Sequence, residues 1–145
     1  MAKYKIIGQT KLQGEIGVSG AKNSALKVFP ACLILDGTST ISNVPQIEDI
    51  HRMVEIMRDL GVSIEQQGSS YTINPTITKT QLHPQLHQKL RASILLIGPM
   101  LLQKGTIDFP EPGGCVLGKR PIDFFLEGFK AFGVRVDDRD DGYSL

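Results

Sequence analysis

Apolar residues at Ile50, Met53, Val54, Met57 and Leu60 recur every three or four positions, with charged residues between them. That spacing predicts an amphipathic helix running from Ile47 and ending at Gly61. Upstream, the loose alternation of Lys11 to Ser19 predicts a strand. Lys22 to Leu35 predicts a helix bent at Pro30, and Thr38 to Ser42 predicts a short strand. Val62 to Glu65 and Tyr71 to Asn74 predict a hairpin around Gln67-Gly68-Ser69-Ser70.

The second half of the chain repeats this order. Leu86, Leu90, Ile94 and Ile97 predict a helix from about Leu86 to Gln103. Gly105-Thr106 then follows as Gly37-Thr38 does, and Ile107 to Phe109 predicts a strand. Ile122, Phe125, Leu126, Phe129 and Phe132 mark another amphipathic helix, closed by Gly133 as the earlier one is by Gly61. Tyr143 lies 10 residues after Gly133, and Tyr71 lies 10 after Gly61. The expected fold class is therefore α/β (α+β), with two copies of a helix, strand, helix and hairpin unit at about 21–75 and 85–145. Gly37 to Gly61 spans 24 residues, whereas Gly105 to Gly133 spans 28. The added length falls between Pro110 and Pro121. A regular repeat with one enlarged loop points to a task for that loop, although a tolerated surface insertion gives the same count.

Composition narrows the function. A chain of 145 residues suffices for one ordinary domain or two small units, and 41% apolar with 21% charged residues is globular rather than disordered. The net charge of +1 supplies no general basic field for nucleic acid or membrane, so anion recognition has to be local. The absence of Trp removes the best stacking platform for single-stranded nucleic acid. The apolar run Ile94 to Leu102 is interrupted by Pro99 and falls far short of a membrane span. Met1-Ala2-Lys3-Tyr4 lacks the basic region and apolar core of a secretory signal. Two cysteines allow one disulfide at most, so a reduced, cytoplasmic setting is expected.

Cys115 is the sharpest chemical candidate. Gly113-Gly114 precede it, Gly118 follows, and Lys119 and Arg120 are close by. Nearby cations favour thiolate, which suits an acid or nucleophile working near neutral pH; an incidental exposed thiol is the plainer alternative. Cys32, within Val28-Phe29-Pro30-Ala31-Cys32-Leu33-Ile34-Leu35, reads as core. In Ser19-Gly20-Ala21-Lys22-Asn23-Ser24 a strand ends, a glycine allows a tight turn and a helix begins. The helix N-terminus and Lys22 suit a phosphate or carboxylate, while Ser19, Asn23 and Ser24 equally suit capping. Arg91 and Arg120 offer bidentate forks for such anions. Asp123, in the first turn after Pro121, suits either a substrate hydroxyl or the helix dipole. His83 and His87 have metal-pair spacing without a third ligand nearby in sequence. His51 is expected on the solvent side of its helix, and Asp137-Asp138-Arg139-Asp140-Asp141-Gly142 reads as a charged hairpin turn rather than a calcium loop.

Taken together, Gly14-Glu15, Ser19-Gly20-Ala21-Lys22-Asn23, Arg91-Ala92-Ser93 and Pro112-Gly113-Gly114-Cys115-x-x-Gly118-x-Arg120-Pro121-x-Asp123 resemble the UDP-N-acetylglucosamine enolpyruvyl transferases (1-carboxyvinyltransferases). The resemblance runs in order along essentially the whole chain. It implies an inside-out α/β barrel built from repeated strand-helix units, here incomplete, with residues 1–20 packing against a C-terminal part that the chain lacks. It also implies transfer of the enolpyruvyl group of phosphoenolpyruvate to the 3-hydroxyl of UDP-N-acetylglucosamine with release of phosphate. That step commits material to peptidoglycan, and hence to cell-wall growth, shape and division.

The resemblance assigns roles residue by residue. Cys115 would protonate the phosphoenolpyruvate methylene, form a covalent adduct with that substrate and be the group alkylated by fosfomycin. Lys22 and Arg120 would hold phosphate and carboxylate. Asn23, Arg91 and the segment Arg120, Pro121, Ile122, Asp123 and Phe124 would contact the UDP-sugar. No cofactor or metal is implied, nor any nucleic-acid or membrane partner. The family's catalytic aspartate and a further arginine come from later segments, and Phe124-Phe125 is more aromatic than the family's pair. Two alternatives stand beside this reading: an enolpyruvylshikimate phosphate synthase relative, and an inactive truncated fragment or binding module.

Overall fold

Gly61 and Gly133 occupy equivalent turns, with φ of +91° and +88°, the left-handed region where a Cβ is penalised. Each closes a helix and turns the chain back into a hairpin. In the computed structural model, which describes residues 3–9, 11–110 and 121–145, these turns organise an α+β fold with two small sheets.

The first half contains α1 (Lys22–Cys32), β1 (Ser39–Ile41), α2 (Glu48–Asp59), β2 (Ser63–Gln67) and β3 (Ser70–Asn74). The second contains α3 (Pro84–His87), a 3-10 turn (Arg91–Leu96), α4 (Ile97–Lys104), β4 (Asp108–Pro110), α5 (Asp123–Ala131), β5 (Asp137–Arg139) and β6 (Gly142–Ser144). Both sheets are antiparallel with the hairpin's second strand in the centre, in the order β1-β3-β2 and β4-β6-β5. Tyr71 pairs with Ile41 and Tyr143 with Phe109, so the two tyrosines hold matching central-strand positions. Tyr71 meets Phe29 edge-on at 5.2 Å, and Tyr143 stacks on Phe109 at 5.3 Å.

One continuous core joins the halves. Phe29, Leu33, Ile50, Met53, Met57, Leu60, Ile73 and Ile77 meet Leu96, Ile97, Met100 and Phe109, all essentially removed from water. Gln103 fastens the joint: its Nε2 donates to the carbonyls of Leu33 (2.6 Å) and Pro75 (2.7 Å), and its Oε1 accepts from the Ile77 N–H (3.0 Å).

The structure departs from the periodicity in three places. Residues 11–19 are exposed and form no strand, because no strand among the described residues lies beside them to complete the ladder. The helix expected from Leu86 to Gln103 is broken into α3, the 3-10 turn and α4. Leu90 is extended there (φ −140°, ψ 106°), the Ser93 hydroxyl engages backbone carbonyls, and Pro99 has no N–H to give the helix ladder. Phe125 on α5 and Phe132 just after it lie exposed although their spacing fits the apolar stripe; Ile122 and Leu126 are the buried anchors. Gly20 does not have a positive φ. It is demanded instead by close approach, since a Cβ there would come 2.2 Å from the Asn43 carbonyl oxygen, to which the Gly20 N–H donates at 3.0 Å.

Candidate functional site: the start of the first helix and the turn at Arg91

Lys22 is the first residue of α1, where helical N–H groups lack intrahelical partners. The preceding Ala21 offers no side-chain cap, and no acidic residue lies in the first turn. Ser19, Asn23 and Ser24 therefore do not cap this helix, and its positive end is left to Lys22 and to solvent. The turn into α1 is fixed by Gly20 against Asn43, whose own φ is +55° and whose Nδ2 donates to the Val18 carbonyl at 3.5 Å. Lys22 Nζ reaches Asp49 Oδ2, in the first turn of α2, at 2.9 Å. Asp49 was not legible as a partner in the sequence, because 27 residues separate the pair; only the need of a fixed lysine for a counter-ion hints at one.

The 3-10 turn that begins at Arg91 packs against α1 and α2. Arg91 Nη2 donates to the Pro121 carbonyl at 3.5 Å, which ties the turn to the start of α5. Beneath it lies a buried pair that the sequence presented only as half of a metal motif. His87 is 0% exposed, and its Nδ1 is 2.7 Å from Ser93 Oγ. Burial pushes the His87 pKa down to about 4, opposed more weakly by the Pro110 backbone. The ring is packed edge-on against Phe109, at 5.6 Å. Among the described residues, no group of three His, Cys, Asp or Glu side chains is arranged to hold a metal ion.

The other candidates fall as follows. Asn23 is exposed in the first turn of α1. Pro121 is exposed, Ile122 is buried as the residue preceding α5, and Asp123 opens α5 in solvent. Phe124 is 85% exposed. Cys115 and Arg120 lie outside the described residues, as do Lys119 and the rest of 111–120. Cys32 is free and buried, its thiol pKa raised by burial and opposed by a hydrogen bond with Ser39. His51 is exposed, and residues 137–144 form the charged hairpin β5-β6. No helix among the described residues is long and apolar enough to cross a membrane.

The model of the EPSP synthase (3-phosphoshikimate 1-carboxyvinyltransferase) family matches residues 6–144. The chain belongs to this family. Its relatives include a UDP-N-acetylglucosamine 1-carboxyvinyltransferase of Psychrobacter sp., 36% identical over 94% of this chain and 32% of that protein. Another, UDP-N-acetylglucosamine 1-carboxyvinyltransferase 1 of Symbiobacterium thermophilum, is 39% identical with the same coverage. This member of the EPSP synthase family thus spans about a third of the length of the relatives it matches. Solved structures share its fold. The enolpyruvyl transferase NikO of Streptomyces tendae aligns with a TM-score of 0.79 at 21% identity, over 95% of this chain and 31% of that one. The EPSP synthase of Acinetobacter baumannii aligns with a TM-score of 0.65 at 21% identity, over 91% and 32%.

Proposed function

We propose that this chain supplies the phosphoenolpyruvate-binding part of an enolpyruvyl transferase acting on UDP-N-acetylglucosamine, in the cytoplasmic synthesis of peptidoglycan. In this reading residues 21–145 are the first two repeat units of the enzyme's first domain. The exposed apolar residues of 3–19, Tyr4, Ile6, Ile7, Leu12, Ile16 and Val18 among them, pack against the remainder of an enzyme of the relatives' length. The observation that carries the reading is Lys22 at the uncapped start of α1, the helix against which the turn beginning at Arg91 packs.

The chemistry follows from charge. Phosphoenolpyruvate is a small, densely anionic substrate, and fixed cations with helix N–H groups bind it in preference to water. Lys22 and Arg120 hold its phosphate and carboxylate, while Asn23, Arg91 and the stretch Pro121, Ile122, Asp123 and Phe124 face the UDP-sugar. Cys115 delivers its proton to the methylene carbon as the sugar hydroxyl gives its own proton to a base in the remainder of the enzyme and its oxygen bonds to the adjacent carbon. The resulting tetrahedral ketal loses phosphate and one proton from the former methylene, restoring the double bond on the sugar ether. A general acid needs a pKa near the working pH, so the cations beside Cys115 lower its thiol pKa only moderately.

The test is phosphate release from phosphoenolpyruvate by a protein of the relatives' length carrying this sequence. Release that needs UDP-N-acetylglucosamine and disappears in Cys115→Ala supports the reading. The family model's description favours a second reading, with shikimate 3-phosphate as the acceptor; release with that acceptor alone would establish it. No release with either acceptor leaves the chain as a binding module.

A further inference from the structure

The first turn of α2 carries two acids, Glu48 and Asp49, and their cations differ. Arg52 Nη2 donates to Glu48 Oε1 at 2.7 Å and its Nη1 to Glu55 Oε2 at 2.8 Å, so one arginine occupies both glutamates. Asp49 is left to Lys22, whose Nζ donates to its Oδ2 at 2.9 Å. The pair that crosses from α1 to α2 is thus separate from the charges beside it on α2.

Both members stand on fixed backbone. The two helices pack together, with Ala25, Leu26 and Phe29 buried on α1 and Ile50 and Met53 buried on α2. The loop between β1 and α2 ties them a second time. Its Asn43 carbonyl takes the N–H of Gly20, just ahead of Lys22, at 3.0 Å, and its Ile47 leads directly into Glu48.

A free lysine head samples a wide volume, and a ligand that binds it has to stop that motion. A lysine already held at Asp49 has lost part of that freedom before the ligand arrives. One of the ammonium N–H groups is engaged by Asp49, and the others remain for a ligand. The carboxylate also acts the other way, because its own charge repels an anion. Positioning and repulsion change affinity with opposite signs, so a measurement separates them.

We propose that Asp49 is a positioning residue for anion binding by Lys22. The inference rests on the reading of Lys22 as a phosphoenolpyruvate contact given above. Asp49 touches no substrate; it acts through the lysine.

The test is phosphoenolpyruvate affinity, read from the amide shifts of Ala21 to Ser24 in the full chain and its variants. Asp49→Asn removes the charge and keeps the size, and the small worth of so exposed an ion pair leaves the fold intact. Asp49→Glu keeps a carboxylate within reach of the long lysine. In Asp49→Asn affinity falls by about two- to tenfold, the penalty for immobilising one long side chain on binding, and Asp49→Glu retains most of it. In a Lys22→Ala background Asp49→Asn causes no further loss, because no ammonium is left to position. Affinity unchanged or raised in Asp49→Asn, an equal fall in both backgrounds, or a fall in Asp49→Glu as deep as in Asp49→Asn overturns the positioning role and leaves Lys22 as the contact. No saturable shift of these amides in the unaltered chain overturns both.

Discussion

Lys22 Nζ stands 2.9 Å from Asp49 Oδ2, so the cation at the start of α1 is aimed by a carboxylate on α2. The side chains are 52% and 40% exposed, and an ion pair so open to water contributes little to folding. Asp49→Asn is therefore expected to change the free energy of unfolding by no more than about 1 kcal/mol, measured by urea denaturation. A larger loss would make the pair structural rather than an aiming device.

Gln103 presents the opposite case. Its amide serves the Leu33 and Pro75 carbonyls and the Ile77 N–H, three backbone groups on two separate segments. Gln103→Ala removes all three partners and is expected to destabilise the chain by about 1–3 kcal/mol. Calorimetric melting of the variant checks this, and an unchanged midpoint would refute it.

His87 gives stability an acid limit. Its pKa is lowered from 6.5 to about 4 by burial, so the folded state disfavours the protonated ring. The contribution is complete above pH 6.5, shrinks as pH falls below that, and is gone near pH 4, a change of about 3 kcal/mol at most. Denaturation between pH 7 and pH 4 should show this slope in the unaltered chain and a shallower one in His87→Gln.

Two glycines separate backbone strain from crowding. Gly37 and Gly61 both have positive φ, +79° and +91°, but a Cβ at Gly37 meets open space while one at Gly61 would lie 1.9 Å from Thr78 Oγ1. Gly37→Ala is expected to cost about 1–2 kcal/mol from the φ alone, and Gly61→Ala more than that. Equal losses in paired denaturation curves would contradict the crowding argument.

How much of this was legible in the sequence depends on how local the cause is. The stripe of α2, its stop at Gly61, both hairpins and the second-half echo follow from spacing and turn residues, which act over a few positions. The break within 86–103 does not, because it depends on where the Ser93 hydroxyl points and on a histidine six residues away. Lys11 to Ser19 alternates like a strand, but a strand also needs a neighbour, and alternation carries no information about that. At the site, Lys22 on a helix start was readable from the turn preceding it, whereas Asp49 and the tie from Arg91 to Pro121 join distant positions and required the fold. Phe125 and Phe132 fit the stripe of α5 and yet face solvent, since the stripe records what the helix is able to bury rather than what covers it.

The most direct measurement is a phosphoenolpyruvate titration of the chain followed by backbone amide NMR. Weak, saturable shifts of the amides from Ala21 to Ser24 and around Arg91 are expected, with affinity reduced about tenfold in Lys22→Ala, as loss of one charge-assisted contact implies. Shifts absent from those positions, or unchanged in Lys22→Ala, would contradict the proposed reading.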